Sequence, residues 1–325
     1  MIIPKFWAEG RVQHKEKGRQ VTVRRLGWSQ SSEAEAQSNA DTRAKEALQR
    51  ILSGEELVRL ETRSPYNGAE GVPICEEIVA EHGETVITRN SYGARCLNTP
   101  DVLFADIDFE AEPGKATSCF FTLVLVIGAA FGSWKLGSVG WFIPLGLAGV
   151  VGGICLANGL HKLHLKLNGG AEKMANDRIN AFITAHPNWR LRIYRTPAGL
   201  RVVAAHRTFA PNAPEVALLF NSLKVDPVYV KMCQRQQCFR ARVSPKPWRI
   251  GVDSHMKPRS GRWPPRPEAV VPRREWIEAY EQKSTGFSAC RFERETGKGV
   301  MNREVDKVIA LHDELSRALS GLPIA

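Results

Sequence analysis

Charged residues are nearly absent from one long stretch, residues 118–160, where Lys135 carries the single charge. Core helices of soluble proteins normally keep a polar face, so this absence argues against a buried hairpin of a soluble protein. Lys135 lies in a turn with glycine and serine, which predicts two apolar helices of about 17 and 24 residues, each close to the length that crosses a bilayer. We therefore expect a two-helix transmembrane hairpin and a lipid bilayer as partner.

The position and flanks of this stretch predict its topology. It starts after more than a hundred polar residues, which excludes a cleavable signal peptide. Lys115, Lys162 and Lys166 flank the hairpin, against Lys135 in the turn, so both termini are expected in the cytoplasm. Glycines at four-residue spacing would let the helices approach closely. Representative residues of the two predicted spans are Phe120, Leu125, Trp134, Trp141, Leu147 and Ile154.

The chain has few cysteines, and their number and spacing do not indicate disulfide pairs. The chain has seven cysteines, an odd number, and two of them lie inside the apolar stretch. This excludes a disulfide framework and agrees with a reducing cytoplasm. Cys233 and Cys238 have no matching second pair, so the sequence does not favour a zinc site.

The net charge of +11 comes largely from residues 231–274, which hold twelve Lys and Arg residues against two acidic residues. Such a segment attracts phosphates of nucleic acid, nucleotides or anionic lipid. Its seven prolines favour an extended, loop-like surface. The alternative is a solvated loop without a partner.

Acidic residues gather at the end of one predicted strand, residues 101–110. Asp106, Asp108 and Glu110 alternate along it, so all three point to one face. Neighbouring carboxylates repel unless a positive group lies among them, and Mg²⁺ or Mn²⁺ is the usual one. The alternative is an exposed acidic strand end whose charges are met by arginines of the basic segment.

The elements around this strand predict an α+β fold. In chain order they are a strand at 101–110, a helix at 171–185, strands at 189–195 and 200–206 joined by a tight turn, a helix at 214–223 and a strand at 238–243. This is the split βαβ, or ferredoxin-like, order, with the hairpin inserted after its first strand.

Three regions follow from this order. Residues 1–100 form an N-terminal α/β extension, with a strand at 20–24, a helix at 33–53 that begins with a capping box of Ser32 and Glu35, turns at 64–68 and 71–73, a short helix at 76–81 and a strand from residue 84. Residues 101–250 form the ferredoxin-like domain, interrupted by the hairpin. Residues 251–325 form a basic, proline-rich linker and helices at 275–282 and about 302–319.

The sheet and its acidic motif resemble the palm of the archaeo-eukaryotic primase superfamily, the primase-polymerases. Residues 103–108, LFADID, look like the first motif of that family, residues 204–206 like its small-x-His element, and Val225-Asp226 like its hydrophobic-Asp element. The sequence differs in placing Arg201 nearer the glycine turn than His206.

The resemblance implies a membrane-anchored, metal-dependent nucleotide-binding protein of the nucleotidyltransferase type. Asp106, Asp108 and His206 would be catalytic, and Asp226 would join the two aspartates in holding Mg²⁺ or Mn²⁺. From their charge, Arg240, Arg242, Lys246 and Arg249 are the expected phosphate-binding residues. Trp248 or Tyr229 could stack on a base.

Other functions fit parts of the pattern. Glycosyltransferases use D-x-D motifs, but residues 1–100 lack the alternating strands and helices that would precede one. Diguanylate cyclases require a GGDEF sequence, and aspartyl phosphatases a Thr or Val where Glu110 stands. The main alternative is a non-enzymatic, membrane-anchored adaptor whose basic segment, residues 231–274, binds anionic lipid or nucleic acid.

Overall fold

The computed structural model describes residues 1, 3–16, 19–61, 73–109, 112–135, 139–259 and 263–325. The chain divides into two compact units, the first formed by residues 1–106 with 186–325 and the second by residues 107–185. The predicted boundaries at residues 100 and 250 therefore do not separate units. The predicted turns at 64–68 and 71–73 fall almost wholly outside the described residues.

The N-terminal part of the first unit is a hairpin covered by a helix. Strands β1 (Phe6–Glu16) and β2 (Arg19–Ser29) pair antiparallel, and α1 (Glu33–Leu52) packs on them through buried alanines. A Cβ on Gly27 would lie 2.2 Å from the backbone nitrogen of Ala40, so the two backbones touch. Half of the predicted capping box is present at the start of α1, because Ser32 Oγ accepts from the Glu35 N–H at 3.2 Å. The Glu35 carboxylate accepts instead from the Ser29 hydroxyl at 2.7 Å.

A second sheet joins distant parts of the first unit. Its antiparallel order is β3 (Glu77–His82), β4 (Thr85–Arg89), β5 (Arg95–Thr99) and β9 (Phe239–Arg242). The short helix predicted at 76–81 was wrong, because this segment forms β3. Pairing with β4 across the turn at Gly83 (φ 62°) overrides the local helix pattern.

The third sheet carries the acidic motif. Its strands lie in the order β10 (Arg291–Thr296), β7 (Leu191–Thr196), β8 (Gly199–Ala204) and β6 (Phe104–Asp108). The predicted hairpin of β7 and β8 is confirmed. A ferredoxin-like sheet would place β9 beside β6, but β9 pairs with β5. The Tyr229 hydroxyl lies 3.0 Å from the carbonyl oxygens of both Phe104 and Arg240, so a side chain bridges β6 and β9 instead of a strand ladder.

Helices complete the first unit. They are α5 (Pro214–Leu223), α6 (Pro227–Gln236), α7 (Pro267–Ser284) and α8 (Arg303–Ser316). The helices at 214–223 and near 302–319 agree with the prediction, whereas α6 and β10 were not predicted. Val305 and His312 of α8 are buried as its stripe indicated, but Leu319 lies beyond the helix and is exposed.

The second unit is helical after the end of β6. It contains α2 (Lys115–Lys135), α3 (Phe142–Leu167) and α4 (Ala171–Ala185). α2 and α3 pack closely at glycines, which have no side chain to keep the two backbones apart. A Cβ on Gly153 would lie 2.4 Å from Thr122 Cα, and one on Gly149 would lie 3.1 Å from the Leu125 carbonyl carbon. The molecule is thus a mixed α+β protein with antiparallel sheets and two long apolar helices.

Candidate functional site

The acidic end of β6 is occupied by an arginine. Arg201 of β8 places Nε 2.7 Å from Asp106 Oδ1 and Nη2 2.9 Å from Asp106 Oδ2. The Arg201 side chain is 2 % exposed, whereas the Asp106 side chain is 42 % exposed. A bidentate pair of this kind is the strongest arrangement of these two groups. The charge of Asp106 is therefore balanced within the protein.

The electrostatics agree with an ionised pair. Burial raises the pKa of Asp106, but the charge and hydrogen bonds of Arg201 outweigh burial and hold that pKa below its ordinary value. Burial likewise lowers the pKa of Arg201, and the Asp106 carboxylate more than restores it. Arg242 of β9 adds a further positive contribution at Asp106. Both groups of the pair are charged at neutral pH.

A buried network behind Arg201 fixes its position. Nη1 of Arg201 lies 2.8 Å from the Arg242 carbonyl oxygen and 3.2 Å from His312 Nε2. Since a guanidinium can only donate, Nε2 accepts, and Nδ1–H then donates to Asp313 Oδ1 at 3.0 Å. Cys290 Sγ lies 3.8 Å from the same Nε2. His312 and Cys290 are fully buried, so these groups orient Arg201 and lie out of reach of a solvent-borne substrate.

The other predicted metal ligands have different environments. Asp226 is exposed and caps α6, accepting from the Val228 N–H at 2.9 Å. Asp108 is exposed at the end of β6 and belongs to the second unit, and Glu110 lies outside the described residues. Among the residues that the structure describes, no three His, Cys, Asp or Glu side chains form a metal-binding group. The predicted aspartate set is therefore not assembled there.

His206 lies among aromatic rings. Its ring centroid is 4.8 Å from that of Trp189 and 5.4 Å from that of Phe209, and Nδ1 accepts from the Arg190 N–H at 3.4 Å. Burial and then Arg207 lower the pKa of His206, which keeps it neutral at pH 7. The catalytic role predicted for His206 stays a prediction.

The predicted phosphate-binding residues divide into two groups. Arg240 of β9 pairs with Glu76, which directly precedes β3 (Nη2–Oε2, 2.5 Å), and both side chains are nearly buried. Glu76 therefore neutralises the charge of Arg240, and phosphate binding by Arg240 stays a prediction. Arg242 donates to the Ser244 carbonyl at 3.0 Å. Lys246 and Arg249 lie together on the half-buried turn that follows β9.

That turn brings cations beside an exposed aromatic ring. Lys246 Nζ lies 5.4 Å from the Trp248 ring centroid, and Tyr92 packs edge-on against Trp248 at 5.2 Å. Trp248 is 53 % exposed. Tyr229, the other candidate for base stacking, is committed to its two carbonyl contacts. From the sequence, Lys246 is expected to bind phosphate and Trp248 to stack on a base, and the two side chains lie next to each other.

The rest of the basic segment is partly neutralised and partly exposed. Arg273 is buried and donates to Glu77 Oε2 at 2.8 Å. Exposed cations remain in and around the loop between β9 and α7. They are Lys231, Arg235, Lys257, Arg259, Arg266 and Arg274, while Arg262 lies outside the described residues. Arg266 lies 3.9 Å from Glu268 and Arg274 lies 4.0 Å from Glu278.

The two apolar helices expose their largest side chains. Five of the six representative residues, all except Leu125, are exposed, and Leu125 lies where α3 contacts α2. Only 6 % and 17 % of the most apolar windows of the two helices are buried. Core helices of a soluble protein would be mostly buried. Both helices are long and apolar enough to cross a membrane.

Several residues of the Arg201 network were not predicted from the sequence. They are Arg201 as the partner of Asp106, together with Cys290, His312 and Asp313. One signal could have identified Arg201: it is the only charge in the apolar strand GLRVVA, and a buried arginine requires an acidic partner. The other three come from distant segments, and no local pattern connects them.

Comparisons of the chain with protein-family models, with curated proteins and with solved structures gave no match.

Proposed function

We propose that this protein is a membrane-anchored adaptor, in which the hairpin at 118–160 spans the bilayer twice and the basic segment 231–274 binds a phosphate-bearing partner. The observation that carries the proposal is the bidentate pair of Arg201 and Asp106. In this pair, Arg201 supplies Asp106 with the positive charge that a metal ion would otherwise supply. Exposed cations of the basic segment are accessible for binding.

The anchor is supported by the exposed apolar side chains of α2 and α3. In water these side chains would form a large apolar surface, which soluble monomers rarely expose. Lipid would cover them without cost. Lys162 and Lys166 on one end of α3 favour the cytoplasm for both flanks under the positive-inside rule.

The adaptor is supported by the distribution of charge on the first unit. Arg240 and Arg273 are neutralised by Glu76 and Glu77, which leaves Lys257 and Arg259 among the exposed cations. Arg266 is also exposed, and its Nη1 lies 3.9 Å from Glu268 Oε1. Exposed cations along a loop attract polyanions through long-range electrostatics. The proline content of this loop limits the entropy lost on binding.

The residues present do not fit the metal ions that the primase-polymerase resemblance implies. Asp106 is bound by Arg201, and Asp226 caps a helix. Metal-dependent nucleotidyl transfer with Mg²⁺ or Mn²⁺ stays a prediction, and we derive no step through a metal.

One set of binding measurements separates the two functions. The full chain in neutral nanodiscs is titrated with phosphatidylserine vesicles, with a single-stranded oligonucleotide and with Mn²⁺–ATP. The variant Arg259→Glu/Arg266→Glu should lose vesicle or oligonucleotide binding, whereas Asp108→Asn should retain it. Lys298→Glu, an exposed lysine outside the segment, serves as the matched control. Mn²⁺–ATP binding that Asp108→Asn abolishes would instead support the enzyme.

A further inference from the structure

The outer edge of β1 is the edge that faces away from β2. On the far side of β2, the Arg24 N–H donates to the Arg59 carbonyl at 2.9 Å, and the Arg24 carbonyl accepts from the Glu61 N–H at 3.1 Å. Arg24 lies directly opposite Arg11 in the ladder, so the backbone groups of both residues point away from the space between β1 and β2. Because direction alternates along a strand, the odd-numbered residues of β1 all point their backbone groups to the outer edge.

This edge is open along the second half of β1. In the part of the chain that the structure describes, the outward backbone groups of Arg11, Gln13 and Lys15 form no hydrogen bond. The side chains of these three residues are exposed. The outward carbonyl of Glu9 accepts only a long hydrogen bond, from Gln37 Nε2 at 3.3 Å. An open edge of this kind is a template for another extended strand.

The charges along the edge complement those of an identical strand. Two copies of β1 that pair antiparallel about Val12 place Glu9 opposite Lys15 and Arg11 opposite Gln13. Each of these pairs occurs twice, because the arrangement has twofold symmetry. All four residues point their backbone groups outward, so each opposite pair can exchange two backbone hydrogen bonds. Opposite charges at such positions stabilise the pairing.

Other registers lose this complementarity. The next register on one side places Arg11 opposite its own copy, and the next on the other side places Arg11 opposite Lys15. A shift past the first of these pairs Glu9 with Arg11 but places Lys15 opposite Lys5, and a shift past the second leaves the first half of β1 unpaired. Like charges directly opposite each other are destabilising. The charges therefore favour the register centred on Val12.

The position of α1 allows the same pairing. A Cβ on Gly10 of β1 would lie 2.3 Å from the Ala40 carbonyl oxygen, and one on Gly27 of β2 would lie 2.2 Å from the Ala40 nitrogen. Since α1 lies over both strands, it covers a face of the hairpin and leaves the edge open. In the paired arrangement both copies of α1 would lie on one face, about 10 Å apart, because the middles of the two hairpins are separated by two strand spacings. Packed helices lie at about this distance.

We propose that β1 pairs antiparallel with β1 of a second copy of this chain, centred on Val12, so that two hairpins form one continuous sheet. This interaction goes beyond the adaptor function and does not depend on it. A bilayer that holds both copies would raise their effective concentration and strengthen a pairing of this length.

Disulfide cross-linking of the full chain in mild detergent tests the register. The background is Cys75→Ser/Cys119→Ser/Cys155→Ser, since the remaining native cysteines are buried. Arg11→Cys and Gln13→Cys chains carry tags of different size and are oxidised separately and as a mixture. The proposed register places these two positions opposite each other with Cα atoms about 5.5 Å apart, which a disulfide can span. The mixture should give about ten times more heterodimer than either variant gives homodimer.

Charge exchange tests whether the partner is a second copy. Glu9→Lys and Lys15→Glu each place like charges opposite each other at two symmetric positions, so each should lower the dimer affinity about tenfold. The double variant Glu9→Lys/Lys15→Glu should restore it, because the opposite charges meet again. Lys45→Glu, at an exposed lysine of α1, is the matched control and should leave the affinity unchanged. Sedimentation equilibrium in detergent measures the affinity, and circular dichroism checks that each variant is folded.

Three outcomes would overturn the proposal. The first is equal yield of heterodimer and homodimers, and the second is a folded double variant that dimerises no better than the single variants. Dimers that survive every charge variant would assign the association to another surface, such as the hairpin at 118–160. The third is a chain that stays monomeric, which would leave the edge of β1 to a strand from a different protein.

Discussion

Arg201 holds both carboxylate oxygens of Asp106 across neighbouring strands, with Nε–Oδ1 at 2.7 Å and Nη2–Oδ2 at 2.9 Å. Arg201 is in turn held by the Arg242 carbonyl and His312. Asp106 of the acidic motif is thereby tied to the buried network of the first unit. Its integrity can be measured without knowing any ligand.

Asp106→Asn should destabilise the first unit by about 2–4 kcal/mol, because it leaves the buried guanidinium of Arg201 without a counter-charge. The lower part of the range allows for the partial exposure of Asp106. Urea-induced unfolding of the full chain in detergent, followed by tryptophan fluorescence, measures the change. Asp226→Asn is the control, since asparagine caps a helix as well as aspartate, and it should cost less than about 0.5 kcal/mol. Equal effects at the two positions would contradict this role for the pair.

The pair also predicts a dependence of stability on pH. The pKa of Asp106 is lower in the folded chain than the value of about 3.9 expected in the unfolded chain. Its contribution to stability is therefore fully present above about pH 4 and is lost as the pH falls through the folded pKa. The difference in unfolding free energy between wild type and Asp106→Asn should be constant from about pH 5 to 7 and shrink towards pH 3. A difference that grew on acidification would refute the ion pair.

Elements whose signals lie within one segment were predicted from the sequence, and elements that depend on a distant partner were not. The helix from Glu33, the hairpin of β7 and β8, and the helix at 214–223 were predicted because caps, turns and periodicity lie within each segment. The strand β3 was misassigned because its pairing with β4 outweighs its own pattern. β9 was assigned correctly but placed in the wrong sheet, since nothing in FRAR indicates β5 as its partner.

The candidate site illustrates the same limit. The sequence predicted that the neighbouring carboxylates of Asp106 and Asp108 need a positive partner, and Asp106 has one in Arg201. The alternative of arginine neutralisation was also correct in kind, although the arginine comes from β8 and not from the basic segment. Choosing between a metal and Arg201 required the register of β8 against β6, which is a tertiary property. The sequence shows that these carboxylates need a positive partner, but it does not show which residue or ion is that partner.

His312 should be more important to stability than His206, although the sequence pointed to His206. His312→Leu removes the acceptor of an Arg201 N–H and the donor to Asp313 within a fully buried site, so we expect a loss of about 2–3 kcal/mol. His206→Leu replaces the ring contacts with Trp189 and Phe209 by apolar contacts and gives up one long hydrogen bond, so it should cost less than about 1 kcal/mol. The same unfolding experiment compares the two. A larger loss for His206→Leu would show that the Arg201 network contributes little.

The packing of α2 on α3 gives a prediction with a control inside the same hairpin. Gly153→Leu should force the helices apart, because even its Cβ would lie 2.4 Å from the Thr122 backbone. Gly128→Leu should not, since nothing lies within 4 Å of the Cβ position there. Overpacking of this kind typically costs about 1–3 kcal/mol.

The exposed native thiols Cys119 of α2 and Cys155 of α3 provide the measurement. Spin labels on these two cysteines, in a Cys75→Ser background, report the separation of the helices in nanodiscs, since the remaining cysteines are buried. The distance distribution should broaden and lengthen for Gly153→Leu and match the parent for Gly128→Leu. Because the two glycines differ in whether the partner helix reaches them, indistinguishable distributions would mean that α2 and α3 do not pack through Gly153.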